Sequence, residues 1–132
     1  MVWDYSGKMT LLRTFWDAAC AVDPGRAEAL DEGRVMQHCR EGELGDLWLA
    51  AGLRDVATGE IVVSADYESF DDLCSPFATG LGPSGAYFAS LDDSTQQALA
   101  REWCLRLGSP AGPFCLTARA WYATGAVPDV SR

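Results

Sequence analysis

Residues 1–19, MVWDYSGKMTLLRTFWDAA, join a strand-like segment to a helix almost without a break. Val2-Trp3-Asp4-Tyr5 is β-branched and aromatic, the composition of a pleated, half-buried strand. From Met9 the pattern changes. Met9, Leu12, Trp16 and Ala19 or Cys20 recur at helical spacing, and Phe15 widens the apolar stripe. Ser6-Gly7 is the entry between the two. A strand placed so early raises the question of where the rest of its sheet lies.

The 132 residues fit one domain, 1–132, and a chain of that length buries about two-thirds of its unfolded surface. Hydrophobic residues make up 48% and there are five tryptophans, a globular composition. The net charge is −9 with no basic stripe, which argues against a nucleic-acid partner. No apolar run reaches the roughly 18 residues of a membrane span, and no secretory leader pattern opens the chain. The expected location is cytoplasmic. The five cysteines, Cys20, Cys39, Cys74, Cys104 and Cys115, are odd in number and widely spaced, against both a disulfide framework and a zinc site. The single histidine, His38, stands beside Cys39. Neighbours on a strand point to opposite faces, so the two make a poor nucleophile–base pair.

Further along, Asp23-Pro24 reads as an N-cap with proline at the first helical position, opening a short helix to Leu30 that Gly33 stops. Leu44, Leu47, Trp48 and Ala51 form one apolar face, ended by Gly52. A strand runs from Arg54 or Asp55 to Asp66, with Ile61-Val62-Val63 at its centre and Thr58-Gly59 as a bulge or bend. Ser69 starts another helix, with Phe70, Leu73 and Phe77 on one face. ATGLGPSGAYFASL, residues 78–91, reads as a loop, either a lid or a plain connector. Ser94 opens a capping box for a helix through Leu99, Trp103 and Leu107 to Gly108. The last strand spans Phe114 to Ala126. Phe114, Leu116, Ala118 and Ala120 face one way; Cys115, Thr117, Arg119 and Trp121 face the other.

Four segments in order carry a family resemblance: VWDYSGKMTLLRTFWDAACAVDP (2–24), CREGELGDLWLAAGLRDV (39–56), FDDLCSPF (70–77) and FCLTARAWYATGAVP (114–128). Together they resemble the C-terminal half of class I S-adenosylmethionine-dependent methyltransferases, of the small-molecule type common in actinobacteria. The resemblance implies an α/β fold (α+β taken as a fragment). It is a partial Rossmann-like methyltransferase fold, with a short mixed sheet and an antiparallel C-terminal strand pair. Val2 to Tyr5 is then the end of the family's fifth strand, Asp55 to Asp66 the sixth and Phe114 to Ala126 the seventh, lying between the other two. Residues 67–110, helical from Phe70 to Leu107, become an insertion covering the substrate side.

The family's cofactor half, with its glycine-rich turn after a strand, has no counterpart here. Gly80-Leu81-Gly82-Pro83-Ser84-Gly85 follows a helix, and Pro83 removes a backbone donor. The expectation is that this chain binds no cofactor by itself, and S-adenosylmethionine only if an N-terminal half is supplied.

Trp3, Asp4 and Tyr5 end a strand, where ligands of open α/β sheets bind. Asp4 suits a base or an amine anchor, Tyr5 a hydrogen-bond donor and His38 a second acid–base group. Trp3, Arg40, Tyr67 and Phe70 are the candidate substrate contacts, with Arg40 for an anionic group. Bland readings stand beside these: Asp4 as a helix cap, Trp3, Tyr67 and Phe70 as core, Arg40 as a surface residue. An unpaired fifth-strand edge also predicts a partner, either a second copy in a homodimer or a separate methyltransferase half. Three functions follow. The chain is the substrate-side half of a small-molecule methyltransferase, a stand-alone small-molecule binder or cofactor-independent acid–base enzyme, or a non-catalytic interaction protein.

Overall fold

A computed structural model of the chain describes residues 1–130. It is mixed α/β, with seven helices and one three-stranded sheet among the described residues. The strands are β1 (Val2–Trp3), β2 (Arg54–Tyr67) and β3 (Phe114–Ala126). Their order is β1-β3-β2, with β3 antiparallel to both neighbours. The opening segment thus finds its sheet at the far end of the chain: Val2 pairs with Trp121 and Trp3 with Ala120.

Helix α1 (Thr10–Val22) buries Phe15, Trp16, Ala18 and Ala19, the stripe expected from spacing. Three later helices close over it: α5 (Phe70–Ala78), α6 (Gly82–Ala89) and α7 (Asp93–Arg106). Their Leu73, Phe77, Tyr87, Phe88, Leu99 and Trp103 form one buried cluster with Phe15 and Trp16. Phe15 stacks on Phe77 and meets Trp103 edge to face at 5.1 Å. The polar tips of this cluster's tryptophans and tyrosine are satisfied, as buried groups generally are. The Trp103 indole donates to Thr14 Oγ1 at 3.0 Å, Trp16 donates to Glu32 Oε2, and the Tyr87 hydroxyl donates to Asp23. Residues 67–110, expected as a cover, are therefore packed into the core with α1.

Several local expectations change. Residues 78–91 are not a loop, because Pro83 starts α6 and buried Tyr87 and Phe88 anchor it. Gly33 does not stop a helix. It lies inside α3 (Glu32–Val35), which follows α2 (Pro24–Leu30), and Asp31 caps α3 by accepting from the Gly33 amide. Asp92, not Ser94, caps α7 through the Thr95 amide. The strand irregularity falls between Arg54 and Ala57, where Asp55 is left-handed, rather than at Thr58-Gly59. Helix α4 (Glu43–Ala50) turns Gly45 and Trp48 inward and leaves Leu47 at the margin.

β3 presents its two faces as the alternation predicts. Phe114 and Leu116 pack on the helical cluster and Ala120 is buried, while Cys115 and Thr117 are exposed. β2 differs from a half-buried strand. Every residue from Glu60 to Asp66 is exposed, and β2 is hydrogen-bonded to a neighbour only on its β3 side. The long open edge of the sheet belongs to β2; β1, the edge expected to need repair, is two residues long.

Candidate functional site

The best-formed polar cleft, about 310 Å³, lies between the start of α4 and the β2–β3 pair. Glu41, Gly42 and Gly45 form one wall; Glu60, Arg119, Trp121 and Tyr122 form the other. A close approach shapes it: a Cβ on Gly45 would stand 2.6 Å from Thr58 Cγ2, so only glycine lets α4 sit this near the strand. On the opposite face of the sheet, a Cβ on Gly59 would stand 2.5 Å from the Tyr122 hydroxyl oxygen, so the phenol lies over bare backbone there.

An ion-pair chain backs the cleft. Asp4 is buried, and its Oδ2 accepts from Arg119 Nη2 at 2.7 Å, from Arg119 Nε at 3.0 Å and from the Lys8 amide at 2.8 Å. Arg119 reaches forward through Nη1 to Glu60 at 3.2 Å and stacks on the Trp121 ring, 4.2 Å from its centroid. Burial pushes the Asp4 carboxyl up, but the Lys8 amide and the Arg119 guanidinium outweigh it and hold the group below its ordinary range. The Trp121 indole N–H is buried near the same carboxylate without completing a hydrogen bond. Backbone bonds reinforce the tie: Asp4 N–H donates to Arg119 O, and Arg119 N–H donates to Lys8 O.

The structure gives the residues expected to act together different partners. Asp4 is spent on Arg119, so it does not serve as a free base; nor does it cap α1, whose N-cap is Met9 without a side-chain bond. Tyr5 is half-buried, and burial, then Glu32 and Cys39, push its phenol up, keeping it protonated. His38, at φ 59°, and Arg40 line an open depression with Arg34 and Glu43, apart from the cleft. Arg40 contacts Gly33 O at 3.3 Å and Glu43 at 4.0 Å. Trp3 pairs with Ala120 inside the sheet. Tyr67 stacks on Phe114, and Phe70 meets Trp103 edge to face and borders a shallow groove beside α7. Asp4 alone of the seven candidates supports the cleft, and it does so from behind.

The residues that do line it, Glu60, Arg119, Trp121 and Tyr122, were not singled out from sequence as site residues. The signal was present: Arg119 and Trp121 share the β3 face that turns away from the helical core, an odd place for an arginine beside a tryptophan. A second buried pair, Arg13 with Asp31 at 2.7 Å, is structural. Arg13 also donates to Tyr5 O, tying α1 to the start of α3 and to the residue after Asp4. Among the described residues no group of three or more His, Cys, Asp or Glu side chains is arranged to hold a metal ion. No helix is long and apolar enough to cross a membrane. Comparison with family models, with curated proteins and with solved structures finds no match to this chain.

Proposed function

We propose that the chain is a methyltransferase-like protein that supplies the substrate side of that fold, and that its small-molecule site is the cleft between α4 and the β2–β3 pair. The sheet order carries this reading. β3, last in sequence, lies between β1 and β2 and runs antiparallel to both, the arrangement implied for a family's fifth, seventh and sixth strands. The cleft adds support. It combines the Trp121 ring with charged Glu60 and Arg119, the mixture that orients small ligands.

Binding, rather than acid–base catalysis by this chain alone, is the activity the geometry favours. No hydrogen bond among the described residues joins the Asp4, Tyr5 and His38 side chains, and the Asp4 carboxylate is engaged by three donors. Two titrations test the proposal. S-adenosylmethionine added to the isolated chain should give no binding heat; clear micromolar binding overturns the assignment to the substrate side. A panel of small amines, phenols and carboxylates, followed by tryptophan fluorescence, should yield ligands whose binding Glu60→Gln and Glu41→Gln weaken. Ligands indifferent to both substitutions refute the cleft.

A further inference from the structure

We infer that the free edge of β2 is a self-association surface, where a second copy of this chain pairs antiparallel to it about a two-fold axis through Val62. The inference does not depend on the methyltransferase reading. β2 is 14 residues long, and its centre, residues 61–65, carries no proline, charge or bulge, the devices that commonly protect an edge. Ile61, Val62 and Val63 are 41%, 57% and 44% exposed at its centre, three consecutive β-branched residues open on both faces of the strand. The edge hydrogen-bonding groups and the apolar side chains thus ask for cover in the same place.

Charge selects a second copy and a register. Residues 61–65 carry no charge, so the net charge of −9 does not oppose contact at the centre. With Val62 on the axis, Ile61 faces the partner's Val63, Glu60 faces the partner's Ser64, and Thr58 faces the partner's Asp66. No carboxylate opposes another. Moving the axis to Glu60 sets that residue against itself, and moving it to Val63 sets Glu60 against Asp66; like charges directly opposed destabilise a pair. An axis at Ile61 leaves Glu60 against Val62. The Val62 register joins two three-stranded sheets into one of six strands, and an isologous two-fold contact of this kind closes on itself.

Sedimentation velocity across the micromolar range tests the surface. A concentration-dependent dimer is expected, and Val62→Lys should abolish it with an unchanged circular dichroism spectrum. The register is read by cross-linking in a Cys115→Ser background. Val62→Cys places two thiols across the axis and should form a disulfide dimer under mild oxidation. Ser64→Cys places them four residues out of register, roughly 13 Å apart along the strand, and should not. The cross-linking pair decides the matter even if Val62→Lys fails to fold. A monomer throughout the range overturns the proposal. So does a dimer that survives Val62→Lys, or one that shows no preference for the Val62→Cys bridge.

Discussion

The helical layer and the β2–β3 ribbon divide the molecule's tasks. In the first, Phe15, Trp16, Leu99 and Trp103 are fully buried, and the Trp16, Tyr87 and Trp103 polar tips have partners. In the second, seven consecutive residues of β2 are exposed, the cleft is open and an arginine lies flat on a tryptophan. Stability therefore concentrates in the buried aromatic cluster, while the open cleft and the exposed edge belong to the ribbon.

The contrast breaks if substitutions in the two regions cost alike. Trp103→Ala should have the largest effect, lowering unfolding free energy by about 3–5 kcal/mol in urea titrations, through lost apolar contact and a cavity. Asp4→Asn comes next, at about 3 kcal/mol, because it leaves Arg119 without its buried partner while Glu60 remains. It also carries a pH signature. The folded-state pKa of Asp4 is depressed, so its contribution is full above about pH 4, the unfolded value, and is lost as pH falls through the folded value. Wild type should lose more stability on acidification than Asp4→Asn. Gly59→Ala should cost about 1 kcal/mol in the same urea titrations, because the Tyr122 ring must shift to admit the methyl group. Val62→Lys should change monomer stability least, by within about 0.5 kcal/mol, since the side chain is exposed. A large destabilisation there would mean that β2 already belongs to the core. Thiol labelling sharpens the same division. Exposed Cys115 should react first, whereas Cys74, whose thiol burial and then Asp71 push up to about 12, should stay protected until unfolding.

Local periodicity made much of the helical layer legible. The Met9–Leu12–Trp16 stripe, Pro24 at a helix start, and the two-face alternation of β3 needed only residues a few positions apart. What escaped was either locally ambiguous or non-local. Gly82-Pro83-Ser84-Gly85 has loop composition, yet it becomes the first turn of α6 because Tyr87 and Phe88 have the aromatic cluster to enter. Asp4 was recognised as important, but its partner Arg119 is 115 positions away, and no spacing rule connects them. Without that link Asp4 looked like a free acid. The cleft itself arises where α4 meets two strands, a surface no single segment encodes.

The pairing of β1 and β2 with β3 also sets a schedule. Among the described residues β1 and β2 pair only with β3, and β3 begins at Phe114. During synthesis all seven helices, ending at Arg106, leave the ribosome before the strand that completes the sheet. β2, with its Ile-Val-Val centre, must wait unpaired for about fifty residues of chain to follow it, and β1 for over a hundred. Long-range closure of this kind is slow, and exposed strands are vulnerable while it is pending. α1 and α7, which pack together, both precede β3 in the chain, so the layer that β3 joins is fully synthesised before that strand is.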